Sequence, residues 1–179
     1  MTYAAIKTTH NGINFRSRLE AKWAMFFDLV GWKYEYEPYD LSGWIPDFIL
    51  FGADEILVEV KPFSKFECFD TKKLFTATSG TEKETKEILL LGTSVFEPAA
   101  FPDGASIGWL SEYTPTGEPW FARAVINNWD HRYGFFHEDC SWKDRITGIY
   151  DGDSFLEIPS YAEIKSIWNK AGSSVQWKK

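Results

Sequence analysis

Apolar residues recur along the first hundred positions with two different periods. From Ser17 to Val30 they fall at helical spacing, with Leu19, Trp23, Phe26, Phe27 and Val30 on one face. Gly31 follows, where a helix commonly ends. The period then drops to two. Trp32, Tyr34 and Tyr36 alternate with Lys33, Glu35 and Glu37, the pattern of a half-exposed strand, and Pro38 stops it. Residues 44–50 and 56–61 are two further β-rich runs, joined by Phe51 to Glu55 with Gly52 inside, which predicts a hairpin. Residues 65–78 predict a helix ending at Ser79-Gly80. The continuous apolar run at 88–92 predicts an interior strand. Strand, helix, buried strand is the order of a crossover onto one sheet.

Beyond Gly92 the pattern is weaker. Short strands are predicted near 107–110 and 119–126, with a turn from Pro115 to Pro119. Asn127 to Asp153, rich in aromatics, Gly and Asp, has no placement. Ser160 and Glu163 form a capping box that opens a last helix through Ile164, Ile167 and Trp168 to Gly172. The expected fold class is α/β: a core over residues 1–98 ordered helix, three strands, helix, strand, with a mixed sheet flanked by helices. Residues 99–179 form a β-rich and helical elaboration packed on that core rather than an independent domain.

Composition narrows the class. Of 179 residues, 44% are apolar and 18% aromatic, ample for a packed core and contrary to disorder. No apolar run has transmembrane length, and the first residues lack the layout of a signal peptide, so a cytoplasmic protein without membrane contact is expected. Cys68 and Cys140 form neither a disulfide framework nor a zinc pattern. The net charge of −7 argues against a protein that coats nucleic acid. It does not argue against an enzyme that meets phosphate through metal ions and a local basic patch.

The chemistry is concentrated in WIPDFILFGADEILVEVKPF, residues 44–63, where Asp47, Glu59 and Lys61 interrupt apolar sequence. Such charges are seldom buried without partners. A hairpin centred on Ala53 pairs Leu50 with Ile56, Ile49 with Leu57 and Phe48 with Val58. Asp47 then faces Glu59 with Cβ atoms about 4.5–5.5 Å apart. Two carboxylates at that range repel unless one is protonated or a cation intervenes, and a hard cation such as Mg²⁺ needs such a pair. Lys61, two residues beyond Glu59, shares its face. Its ammonium there can orient a water or stabilise charge growing on a phosphate.

Pro46-Asp47 followed by Glu59-Val60-Lys61 resembles the motif of the PD-(D/E)XK nuclease superfamily, whose core order is also the one predicted for residues 17–92. Glu20, in FRSRLEAKWA, occupies the place of the glutamate that members often carry on their first helix. The spacing of the four residues is similar to that of archaeal Holliday-junction resolvases, and the SRLEA-type helix to that of small phage-encoded nucleases. The resemblance covers residues 14–92. It implies hydrolysis of DNA by an endonuclease, leaving a 5′-phosphate and a 3′-hydroxyl, in a bacterial or phage-infected cell. It also implies that Asp47, Glu59 and the carbonyl of Val60 ligate Mg²⁺ or Mn²⁺. Glu20 assists through water or a second ion, and Lys61 positions the attacking water. Dimerisation is common in this fold, and the surplus aromatics would suit a homodimer interface.

Plainer roles stand beside these. Ser17 and Glu20 are themselves a capping box. Asp47 can be a turn aspartate after Pro46, and Glu59 and Lys61 the wet face of an edge strand. Arg16, Arg18 and Lys22 flank Glu20 and are candidates for phosphate contact; Lys65, Lys72 and Lys73 are weaker ones. His131 and His137, near Asp130, Glu138, Asp139 and Cys140, match no zinc spacing. The alternative to a nuclease is a degenerate nuclease fold that binds nucleic acid or protein. RNA as substrate has no distinguishing residue.

Overall fold

The computed structural model describes residues 8–41, 43–80, 86–98, 101, 103–113, 119–139, 143–150 and 157–175. A hairpin of β1 (Thr8–His10) and β2 (Ile13–Phe15) leads into helix α1 (Arg18–Val30). Ser17 caps α1, its hydroxyl accepting the Glu20 N–H, and Gly31 closes it in the left-handed conformation at φ 79°. Then come β3 (Lys33–Tyr36), β4 (Phe48–Phe51) and β5 (Glu55–Val60), each antiparallel to the one before. The hairpin register is the one expected from a turn centred on Ala53: Phe48 opposite Val58, Ile49 opposite Leu57 and Leu50 opposite Ile56.

Helix α2 (Thr71–Thr78) follows and is shorter than the pattern over 65–78 predicts. Asp70 caps it at its own N-terminus, and residues Phe66–Cys68 form a separate 3-10 turn. The chain returns as β6 (Ile88–Phe96), parallel to β5, then β7 (Ser106–Tyr113), β8 (Pro119–Trp129) and β9 (Arg132–His137), all antiparallel. The seven strands β3 to β9 lie in chain order in one mixed sheet, with β1 and β2 in a second. Cys140, and all but the last residue of the turn expected from Pro115 to Pro119, lie outside the described residues. Helix α3 (Tyr161–Ser174) starts at Ser160 as predicted and runs two residues past Gly172.

The sheet separates two apolar layers. Ile56, Val58, Val60, Leu89 and Leu91 pack with Trp23, Phe26 and Phe27 of α1 and Ile164 and Trp168 of α3. Ile49, Leu57, Ile88 and Leu90 face the other way, toward Leu74 and Ala77 of α2. The sheet curls, so that the far strand β9 meets the chain just after the first helix: the Trp32 indole N–H donates to the Tyr133 carbonyl, and its ring lies 5.1 Å from that of Phe135. Among the described residues no helix is long and apolar enough to cross a membrane.

Candidate active site

β5 is an interior strand between β4 and β6, not an edge. Its even-numbered residues point to α1 and α3, so Glu59 and Lys61 belong with Leu57 on the α2 side. Asp47 shares the parity of Ile49 and comes to that same face. The Lys61 ammonium joins them, with Nζ 2.6 Å from Glu59 Oε1 and 3.7 Å from Asp47 Oδ2. Asp47 is 6% exposed and Glu59 7%, so both carboxylates have left bulk water.

Each carboxylate is fixed by a second partner. Asp47 lies just outside β4, and its Oδ2 accepts the Val60 N–H at 2.7 Å. Glu59 Oε2 accepts the Trp44 indole N–H at 2.8 Å. The chain after Lys61 is pinned as well. The Phe63 carbonyl accepts the Thr93 N–H at 2.9 Å, and a Cβ on Gly92 would come within 2.3 Å of that oxygen. Only glycine lets the turn after Lys61 press so close to β6.

Burial pushes the Asp47 carboxyl up to about 7, and the charges of Glu59 and Glu20 add to the rise. The Lys61 ammonium and the Val60 N–H hold it down from going further. For Lys61, burial works against the charge, but Asp47, Glu59 and Glu20 outweigh it and raise the ammonium above its ordinary range. The three groups therefore share one electrostatic environment, in which Asp47 resists ionising and Lys61 keeps its charge.

Glu20 has a structural occupation. The Ser17 hydroxyl donates to Oε1 at 2.7 Å, and the Tyr36 hydroxyl donates to Oε2 at 2.6 Å. It is thus the capping glutamate of α1, and its charge also reaches Asp47 and Lys61. Arg16 pairs with Glu37. Arg18 and Lys22 turn instead toward α3, where they line a cleft with Gly172 and Ser173. Lys65, Lys72 and Lys73 are exposed. Lys73 borders an apolar pocket of about 250 Å³, walled by Trp44, Phe63 and Phe69, that opens beside Glu59 and Lys61. His137 is buried 4.6 Å from the Trp120 ring, and burial lowers its pKa. Sequence reasoning missed Trp44 and Tyr36. Their only signal was position: Trp44 opens the charged apolar stretch, and Tyr36 sits on the strand next to Asp47's.

The donor set fits a hard divalent cation. Lys61 Nζ, besides the two carboxylates, lies 3.3 Å from the Val60 carbonyl oxygen. A positive charge thus already rests against oxygens of all three groups that the resemblance assigns to a metal, and oxygen donors are what Mg²⁺ and Mn²⁺ prefer. Among the described residues no group of three or more His, Cys, Asp or Glu side chains is gathered as ligands. The set here is two carboxylates and a main-chain carbonyl. No family model, curated protein or solved structure matches the chain.

Proposed function

We propose that the protein is a metal-dependent nuclease of the PD-(D/E)XK type that hydrolyses phosphodiester bonds in DNA. One observation carries this reading: two carboxylates more than nine-tenths buried, Asp47 and Glu59, converge on one ammonium at the end of an interior strand. A fold has no stability reason to gather repelling acids in its core, whereas a phosphodiesterase needs them. The order α1, β3, β4, β5, α2, β6 supports the same assignment.

Asp47, Glu59 and the Val60 carbonyl would hold Mg²⁺ or Mn²⁺. The ion would supply Lewis-acid polarisation of the phosphate and acidify a coordinated water. The chain's own groups do the rest. Trp44 and the Val60 N–H orient the carboxylates. Lys61, on a side chain 42% exposed, reaches into solvent where it can orient a water or neutralise charge developing on the phosphate. Glu20 anchors the start of α1 beside the site.

A second reading, a nuclease fold retained as a binding module, draws on the same ion cluster: Lys61 already neutralises the carboxylates without a metal. Plasmid DNA incubated with the protein and Mg²⁺ or Mn²⁺ separates the two. We expect nicking that falls at least about a hundredfold in Lys61→Ala, the scale of losing a positioned acid-base group. Calorimetric metal binding with no cleavage of any DNA or RNA form would establish the module instead.

A further inference from the structure

α1 and α3 pack side by side, and a cleft of about 620 Å³ between them is lined by Arg18, Leu19, Lys22, Asn169, Gly172 and Ser173. Arg18 and Lys22 are one turn apart on α1, and Lys165 is on α3 close enough to act on Lys22 as a like charge. Among the described residues none of the three forms an ion pair with a carboxylate. The acids of these helices are engaged elsewhere: Glu20 with Ser17 and Tyr36, Asp28 with His10 and Asn11, Glu163 with Tyr133. A chain of net charge −7 therefore keeps three cations together and turns its acids away from them. Mutual repulsion makes that arrangement costly without a polyanionic ligand.

Lys22 is held in place rather than waving in solvent. Its Nζ lies 3.7 Å from the Trp168 ring centroid, and a Cβ on Gly172 would come within 3.0 Å of its Cε. Burial, with Lys165 and Arg18 adding like charge, lowers it to about 8. The cleft lies on the opposite face of the sheet from the carboxylates and is tied to them through β6. Lys165 Nζ donates to Ser94 Oγ on β6 at 2.7 Å, and the preceding residue, Thr93, is bonded to Phe63, two residues after Lys61. The walls mix polar and apolar surface, and the Asn169 amide offers a donor that phosphate oxygens can use.

We propose that the α1–α3 cleft binds the phosphate backbone of the nucleic-acid substrate through Arg18, Lys22 and Lys165. The ligand's identity rests on the nuclease reading; the cation cluster does not. α3 lies outside the residues that carry the family resemblance, so the chain's C-terminal part supplies one wall of this track.

The test is anisotropy of a fluorescein-labelled DNA oligonucleotide, duplex and single-stranded, with the full chain in EDTA across a salt series. The double variant Lys22→Gln/Lys165→Gln should bind at least tenfold more weakly. The slope of log affinity against log salt should shrink by about 0.7–0.9 for each phosphate that is no longer neutralised. Lys165→Arg should bind as the wild type does. Equal affinity and slope in a double variant that unfolds like the wild type would overturn the proposal. So would wild-type binding to phosphatidylserine vesicles with none to DNA. EDTA makes the assay independent of cleavage. A verified track with no cleavage in Mg²⁺ refutes the nuclease reading alone, and cleavage untouched by the double variant refutes the track alone.

Discussion

Replacing Asp47 by asparagine removes a charge while keeping the side chain's shape and an acceptor for the Val60 N–H. In the folded protein the Asp47 carboxyl titrates at about 7 instead of the ordinary 3.8, chiefly because burial disfavours its charge. Between roughly pH 4 and 7 the folded protein therefore holds a proton that the unfolded chain has released, so this group lowers stability as pH rises through that window. At roughly 1.4 kcal/mol per pH unit, the displacement sets an upper bound of about 4 kcal/mol. Lys61 brings water to one end of the cluster, and relaxation lowers such penalties further, so about 2 kcal/mol is expected. Asp47→Asn should therefore be more stable than the wild type at pH 8 by about that amount, with the gap closing toward pH 4. Urea unfolding followed by circular dichroism in EDTA at several pH values measures it. The same variant should not cut DNA. A gap independent of pH, or a wild type that is the more stable at pH 8, would refute the claim that the fold forces this carboxylate into an apolar setting.

Two further substitutions probe the surroundings. Glu20→Gln cannot accept from both Ser17 and Tyr36, so urea unfolding should show a loss of about 1–2 kcal/mol, with cleavage slowed at least tenfold; loss of stability with unchanged cleavage would leave Glu20 only its capping role. Arg145 has a side chain 7% exposed and binds Glu87 and Glu112 at 2.7 and 2.8 Å. Arg145→Leu strands both acids and should lower the unfolding free energy by about 3 kcal/mol, measurable in the same assay; a neutral result would mean that Lys86 and Lys143, in the same pocket, take over the pairing.

Where the pattern was local, it was legible. α1 was bounded by Ser17 and Gly31 and read by one apolar stripe. The β4–β5 register came from a turn assumed to centre on Ala53, where a slip by one residue would have put Asp47 on the opposite face. The 65–78 region misled because two short helical pieces share a period, and only the cap at Asp70 divides them. The β1–β2 hairpin turns on Asn11-Gly12, both at positive φ, a strong turn signal flanked by strands too short to alternate visibly. β9 escaped because its turn uses Asp130 and His131, at φ 47° and 61°, residues that tolerate the left-handed region without the glycine that marks a hairpin turn. Arg145 lay hidden in the same unplaced stretch: its partners are 58 and 33 residues away, and no spacing rule reaches that far.

The site divides along the same line between local and distant information, and the division bears on how it works. Strand parity alone put Asp47, Glu59 and Lys61 together, since they are tied to one hairpin. What parity could not supply is which of them is free to move. The carboxylates are each clamped by a rigid donor, a main-chain N–H for Asp47 and an indole for Glu59, inside strands packed on both faces. Lys61 sits on a four-carbon stem, 42% exposed, and no donor or packing neighbour comparable to those clamps holds it beyond the oxygens it neutralises. The anions are thus preorganised by the core while the cation is held only by charge. An arrangement with clamped oxygens and an ammonium held by charge admits a competing cation without rebuilding the fold, which is the property a metal-dependent centre requires and a purely structural ion pair does not.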